Sequence, residues 1–483
     1  MKHYKENYAR IDDLYRQSHD LIVKGENLNY AEEILNTLML NDRSSALLLF
    51  QLGNVNMKKQ YYPAAEVFFS KCLDLKPDFA EALMNLGYIY KEMQMVDKAR
   101  ETFKRALDLI EDPALNKTNE EKYTYWHNYA STFTANGTPS QALEVINKAI
   151  PLIADSSEKN KDAYWNRALA YLEMGDYERG FQDFEKGARV EETKNRNYTH
   201  EITPFWDGTP GKTVVVYGEQ GLGDELMFAS ILPDIMKDCT VILDMHPRLV
   251  DMFRYTYPHI PVFGTRKIPR LQWAKFYNVD AKVSIGTLGK FYRKKKEDFP
   301  GTPYLKCRPE LIEKYKVKLA SLSDKPKIGI SWKGGTSKTN QNDRKIKLKQ
   351  FLPLLELDDQ VDFISLQYHE DSPIHLENLK ANFGKTIHHW QDVMDDYDET
   401  AGLVSNLDYI ISAPQSVVHL AGALGVPTLQ LCPKKAMWQM GPYGENMPWY
   451  SCVENVWQDD SCTWEPVILK AKEKLCSLLQ KNT

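Results

Sequence analysis

A period of 34 residues runs through the first 190 positions and constrains this part of the chain more than its composition does. Residues 44–75 laid over 78–109 bring Leu52-Gly53 onto Leu86-Gly87, Ala65 onto Ala99, Phe69 onto Phe103, Cys72 onto Ala106 and Leu73 onto Leu107. A third copy with a longer insertion carries Tyr129-Ala130, Ala142, Ile146 and Ala149. A fourth carries Ala168, Gly180, Phe184 and Gly187, after Trp165 and Tyr171. Gly25, Ala31 and Leu35 mark a degenerate first copy, with Ala31 and Leu35 again 34 residues before Ala65 and Phe69. A chain that repeats at this length builds by stacking one unit on the next.

Small residues where two helices must approach, with aromatics beside them, make this period resemble the tetratricopeptide repeat. The resemblance implies helix–turn–helix units that stack into a solenoid, because no unit buries its apolar face alone. Its groove would suit a protein partner, an acceptor or a second copy of the chain. Pro77 and Pro151 lie near unit ends, as expected where a second helix stops. An unspecialised helical bundle is the plain alternative.

At 483 residues the chain is long enough for two or three domains. Hydrophobic residues at 43% and charged residues at 26% are globular values, which argues against a disordered or fibrous chain. Lys and Arg total 61 against 66 Asp and Glu, so a protein gripping nucleic acid over most of its surface is not expected. No stretch approaches the ~20 apolar residues that span a bilayer, and the first residues lack a signal-peptide apolar core. The seven Cys are scattered and contain no C-x-x-C pair, which favours a reducing cytoplasm.

The repeats are expected to occupy residues 1–190, and residues 191–212 to form a linker broken by Pro204, Gly208, Pro210 and Gly211. Beyond it, strand and helix alternate. Thr213 to Tyr217, Thr240 to Asp244, Lys327 to Ser331, Val361 to Leu366, Asp408 to Ser412 and Thr428 to Leu431 read as strands. Apolar runs rather than strict alternation indicate burial on both faces, hence parallel sheets flanked by helices. The expected fold class is therefore α followed by α/β, with two doubly wound lobes at 213–320 and 321–483. Ligands in such sheets bind beyond the carboxyl ends of strands.

Three loops there carry chemistry. Gly218-Glu219-Gln220-Gly221-Leu222-Gly223-Asp224 joins a strand to a helix expected from Asp224 to Lys237; its glycines allow close approach of a ligand to the backbone. Asp244 ends the next strand about twenty residues later, where a nicotinamide enzyme holds a ribose. Ser331-Trp332-Lys333-Gly334-Gly335 leads to Asp343-Arg344-Lys345, and six basic residues stand against one acidic residue from Lys333 to Lys349, directly after a strand end. This suits a phosphate, without showing which of the cations makes contact. The run from Lys290 to Lys296 reads as solvated surface. The third loop, Ser412 to Gln415, opens a helix rich in small residues. There the N–H groups of Gln415, Ser416 and Val417, with His419 one turn in, could hold phosphate oxygens.

Taken in order, G-E-Q-G-L-G-D, S-W-K-G with D-R-K, the I-S-L-Q strand end and S-V-V-H-L-A-G-A-L-G-V-P resemble the heptosyltransferase-like glycosyltransferases over roughly 200–470. The closest likeness is to the branch in which tetratricopeptide repeats precede the transferase. The resemblance implies a GT-B fold, a nucleotide-sugar donor as substrate, inversion at the anomeric carbon and no required metal or other cofactor. It puts Asp224 on the catalytic acidic position and Gly221 and Gly223 in the turn around it. Trp332, Lys333, Gln367, Arg344, Lys345, Gln415, Ser416, Val417 and His419 fall on the donor side. The family often has Asp-Thr where this chain has Pro414-Gln415.

The implied chemistry is sugar transfer to a hydroxyl of a glycan, a protein or a modified nucleic-acid base, with Asp224 as general base. Asp396-Tyr397-Asp398 matches the D-x-D metal motif superficially, but it opens a helix expected from Thr400 to Asn406 and reads as helix-start acid. Two other functions compete. One is a nicotinamide-dependent oxidoreductase built on the first glycine turn; the other is a non-catalytic repeat adaptor with a degenerate transferase half.

Overall fold

The computed structural model describes residues 2–481 apart from 43, 135–137, 155–158, 188–196, 200–201, 266–270, 336–343, 369–370 and 436. Asp343 and, within the expected linker, residues 191–196 and 200–201 therefore lie outside the described residues. The chain divides into two compact units, Met1–Arg167 and Ala168–Thr483.

The first unit is helical, and consecutive helices pair: α1 (Lys2–Lys24), α2 (Leu28–Asn41), α3 (Ala46–Lys58), α4 (Tyr62–Leu75), α5 (Ala80–Glu92), α6 (Val96–Ile110), α7 (Asn119–Thr134), α8 (Pro139–Ala149) and the start of α9 (Asn160–Glu173). The repeated glycines have a steric cause. A Cβ on Gly53 would sit 2.6 Å from the Phe69 ring, and one on Gly87 would sit 2.7 Å from the Phe103 ring. Each glycine lets the second helix of a pair seat its buried phenylalanine directly on the backbone of the first.

The turns inside two pairs also repeat, through Gln60 (φ 63°) and Gln94 (φ 62°), both in the left-handed region. A side-chain-bearing residue tolerates that conformation at a cost of about 1–2 kcal/mol. Periodicity of apolar residues carries no trace of it.

The second unit begins with the end of α9 and with α10 (Tyr177–Gly187). The expected repeat segment ends later, at 190, and the packing of α10 explains why this helix joins the second unit. A Cβ on Gly289 would meet the Phe181 ring at 2.4 Å, and one on Gly286 would meet the Phe184 ring at 2.7 Å. Both phenylalanines also pack on Phe228.

The rest of this unit is built on two all-parallel sheets. The first contains β1 (Thr213–Tyr217), β2 (Thr240–Asp244), β3 (Val262–Phe263) and β4 (Ala281–Ser284), in the order β3-β2-β1-β4. The second contains β5 (Lys327–Ser331), β6 (Asp362–Ser365), β7 (Tyr409–Ser412), β8 (Thr428–Cys432) and β9 (Val453–Trp457), in the order β6-β5-β7-β8-β9. The α plus α/β class is thus present, and the apolar runs are buried as expected: Val214, Val215 and Val216 are at most 1% exposed. β3, β4 and β9 escaped the sequence because β3 has only two residues, while a central lysine in β4 and an intervening glutamate in β9 break their apolar runs.

The winding direction reverses between β1 and β4, and again between β5 and β7. Those are the switch points where open parallel sheets leave a crevice.

Several local expectations shift. The segment 224–237 is not one helix but two, Leu222–Ala229 and Leu232–Asp238, with Pro233 in the first turn of the second. The run Lys290 to Lys296 is not simply solvated: Arg293 is 2% exposed and donates to Asp234 at 2.9 Å, Tyr292 O at 2.8 Å and Ser230 O at 3.1 Å. The helix expected at 400–406 spans Tyr397–Val404, with the Asp396 carboxylate accepting from Asp398 N–H (2.8 Å) and Glu399 N–H (3.3 Å). Asp396 is a helix cap, and Asp398 pairs with Arg308 at 2.8 Å.

Candidate functional site

The first-sheet loop is held from inside by two buried acids. Glu225 is fully buried under Gly218 and accepts from His246 N–H at 2.8 Å; Glu219 accepts from Gly286 N–H at 3.2 Å. Gly218 admits this because its missing Cβ would lie 2.2 Å from the Glu225 carboxyl carbon. The fixed loop delivers Asp224 to the third position of the helix Leu222–Ala229. One carboxylate oxygen accepts from Gly221 N–H at 3.1 Å, and the other accepts from the Gln439 amide at 3.1 Å.

The second-sheet loops meet at their own switch point. Gln367 is 1% exposed and clamps the β5 loop: its carbonyl accepts from Trp332 N–H (3.1 Å) and Lys333 N–H (2.9 Å), and its amide donates to Lys333 O (2.7 Å). Gln367 thus shapes the loop, with its amide already engaged. The Trp332 ring lies in the core of the second lobe and walls a cleft of ≈ 260 Å³ with Lys333, Lys345, Lys347 and Lys349. Lys333 also lies 3.5 Å from Asp371. Lys345 is exposed, whereas Arg344 is buried and close enough to His419 for its charge to act on the ring.

The β7 loop presses on the β5 loop. A Cβ on Gly334 would fall 2.2 Å from Pro414 O and 2.6 Å from the Gln415 Cβ. Gln415 then starts the helix Ser416–Leu424, which includes Ser416, Val417 and His419. His419 is half-buried, and its removal from water, reinforced by the Arg344 guanidinium, lowers its pKa to about 4. The ring is therefore neutral near pH 7, a hydrogen-bonding group rather than a cation. Its Nδ1 lies 3.4 Å from the Tyr450 hydroxyl.

The two loop systems converge. A Cβ on Gly223 would meet His419 Cδ2 at 3.2 Å and Ser416 Cα at 3.3 Å, so the first-lobe glycine turn lies on the second-lobe helix start. Asp224 is the next residue. Asp244 is not available in the same way: it is fully buried, accepting from Thr265 N–H (2.9 Å) and hydroxyl (2.8 Å) and from the Tyr198 hydroxyl (2.9 Å). A ribose-binding acid needs free lone pairs at a crevice, so the nicotinamide reading loses its acid. Sequence reasoning missed Gln439, in the short helical turn Trp438–Met440, and Tyr450, in an irregular segment; neither belongs to a periodic pattern or motif.

The first unit has a cleft of its own, ≈ 460 Å³, between α6, α7 and α8, whose lining includes Trp126, Tyr129 and Phe133 together with charges of both signs such as Lys104, Glu111 and Glu144. Among the described residues, no helix is long and apolar enough to cross a membrane.

The N-terminal helical region carries tetratricopeptide repeats: that repeat model matches residues 46–79, 80–113 and 161–194. The pair α7–α8 lies outside those matches, although it has the same two-helix form. Protein FlbA of Caulobacter vibrioides (strain ATCC 19089 / CIP 103742 / CB 15) is 25% identical over 538 residues, covering 96% of this chain and 86% of that protein. Superkiller complex protein 3 of Homo sapiens is 26% identical over 178 residues, 33% of this chain and 11% of that protein. Among solved structures, PilF of Pseudomonas aeruginosa is similar at 19% identity and a TM-score of 0.33, covering 39% of this chain and 78% of that one. YrrB, a repeat protein with an unusual peptide-binding site, is similar at 18% identity and a TM-score of 0.32, covering 39% of this chain and 91% of that one.

Proposed function

We propose that residues 213–483 form a GT-B glycosyltransferase that moves a sugar, with inversion, from a nucleotide-sugar donor to a hydroxyl acceptor. The single observation that supports this most is the contact of Gly223 with Ser416 and His419. It sets a carboxylate from one switch point beside a helix start from the other. The helix start and Arg344 suit a diphosphate: backbone N–H groups and a fixed cation oppose the charge that builds as the leaving group departs.

In this reading the acceptor oxygen attacks the anomeric carbon while Asp224 takes its proton. The bond from that carbon to the diphosphate oxygen breaks, and the nucleoside diphosphate leaves with the electron pair. Neutral His419 donates a hydrogen bond to the phosphate from Nε2, in the tautomer whose Nδ1 accepts from the Tyr450 hydroxyl. The chemistry uses no metal. The repeats suit a protein acceptor, a bound protein or self-association, and the reaction belongs in the cytoplasm.

A thermal-shift screen of nucleotide sugars tests the reading, because a ligand that binds only the folded protein raises its melting temperature by mass action. No shift with any of them, together with no sugar transfer, would sink it. A second reading, a non-catalytic adaptor, draws on the hydrogen bonds to both Asp224 oxygens and on Pro414-Gln415. Retained nucleotide binding with no turnover across polypeptide and glycan acceptors would favour the adaptor.

A further inference from the structure

The helix Ser416–Leu424 begins with a side chain whose orientation is dictated by its neighbours. Ser412 donates its hydroxyl proton to Ala413 O at 2.7 Å. Its oxygen, 2.9 Å from that of Ser331, must then accept from Ser331. With the Ser331 proton so used, the Ser331 oxygen accepts from the Gln415 amide nitrogen. The relay runs Gln415 to Ser331 to Ser412 to the backbone and makes three hydrogen bonds. Flipping the Gln415 amide would reverse the serines, break the bond to Ala413 O and leave both amide protons unused, so the relay is the better state.

The consequence falls on the other end of the amide. The Gln415 side-chain carbonyl is buried and has no hydrogen-bond partner among the described residues, and Gln415 as a whole is 7% exposed. A buried acceptor left unmatched is unfavourable unless something fills it. A phosphate oxygen, itself an acceptor, is the wrong complement, whereas a hydroxyl or an amide N–H is the right one.

We propose that Gln415 reads the sugar rather than the phosphate: its carbonyl accepts a hydrogen bond from a hydroxyl or N–H of the glycosyl group beside the phosphate at the helix start. This rests on the nucleotide-sugar reading of the second lobe. It gives the Pro414-Gln415 departure a positive role, in which the position selects donors with a hydrogen-bond donor near the anomeric linkage.

The test uses the full chain and calorimetry with UDP, GDP, ADP and CMP, each alone and as UDP-glucose, UDP-N-acetylglucosamine, GDP-mannose, ADP-glucose and CMP-N-acetylneuraminate. Gln415→Met keeps length and removes the carbonyl; Ser331→Ala leaves Gln415 but frees its amide to turn. In the nucleotide series that binds, Gln415→Met should hold the free nucleotide within about twofold of wild type and lose roughly tenfold or more for the glycosylated form. Ser331→Ala should show a smaller loss of the same kind. UDP-glucose against UDP-N-acetylglucosamine separates a hydroxyl from an amide as the group read. Equal losses for free and glycosylated nucleotide, or no loss, overturn the proposal and leave the nucleotide reading standing. Wild-type protein that binds none of these ligands overturns both. Gln415→Met also removes the amide bond to Ser331, so some fall in the unliganded melting temperature is expected and should be shared by Ser331→Ala; the deciding readout is the difference between free and glycosylated nucleotide.

Discussion

The Gln439 amide nitrogen lies 3.1 Å from Asp224 Oδ1 and ties residues 215 positions apart. Gln439 sits in the short turn Trp438–Met440, whose Trp438 ring stacks on Phe228 with centroids 5.7 Å apart. Phe228 belongs to the helix that carries Asp224, so the glutamine and the carboxylate are braced by the same aromatic packing. This hydrogen bond orients the carboxylate of the proposed general base.

Substituting Asp224 by Asn keeps its shape and removes its basicity. Turnover should fall by about a hundredfold or more while donor affinity stays near wild type. Gln439→Leu should lower turnover by a smaller factor, roughly tenfold, with the same unchanged affinity. Single-turnover kinetics with a donor found by thermal shift checks both; near-normal turnover in Asp224→Asn would remove that residue from the mechanism.

Gly87→Ala sets two effects against each other. Alanine gains about 1 kcal/mol of helix propensity over glycine. Its methyl carbon would lie 2.7 Å from the ring of Phe103, which is 1% exposed and has little room to yield. Overpacking of that kind costs about 1–3 kcal/mol, so a net loss of stability is expected. Thermal denaturation followed at the helical signal decides the sign, and a stabilised variant would show that the repeat interface gives way easily.

His419 should make the second unit sensitive to acid. Its folded pKa of about 4 is below the 6.5 of an unburied histidine, so on acidification the unfolded chain binds a proton before the folded one does. The stabilising contribution is complete above pH 6.5 and is lost as the pH falls towards 4. Urea denaturation at pH 7.5 and 5 should show a smaller loss in His419→Gln than in wild type. Identical losses would place the acid sensitivity elsewhere.

Glu173 titrates in the opposite sense. Burial raises its pKa to about 8 against the usual 4.5, with Lys435 only partly opposing the rise. Here the folded state holds the proton longer, so stability is complete below pH 4.5 and is lost as the pH rises through 8. Each tenfold change in protonation equilibrium is worth about 1.4 kcal/mol, so Glu173→Gln should stabilise the protein at pH 8.5 by at least about 1 kcal/mol and have little effect at pH 5. A variant less stable than wild type at both values would mean that the carboxyl makes specific bonds in its charged form.

Much of the architecture can be read from local pattern. The 34-residue period marks the pairs α3–α4 and α5–α6 because the same glycine–phenylalanine contact recurs in both, Gly53 with Phe69 and Gly87 with Phe103. The strands at Thr213–Tyr217 and Lys327–Ser331 read directly, because burial on both faces demands an unbroken apolar run. Asp396 could be taken as a helix cap from its place before a helical segment, since capping is local chemistry.

What the sequence by itself determined is therefore the repeat pairs, the longer apolar strands and the loops that end those strands. Only the tertiary structure decided what those loops do. Asp244 and Gln367 have the right types at the right strand ends, but one is enclosed by Thr265 and Tyr198 and the other clamps the β5 loop. Gln439 and the orphaned Gln415 carbonyl match no motif, yet one reaches Asp224 and the other ends a relay of two serines. Periodicity records which residues leave water; it holds no information on which distant polar groups meet, because that depends on how two sheets and their helices pack in three dimensions.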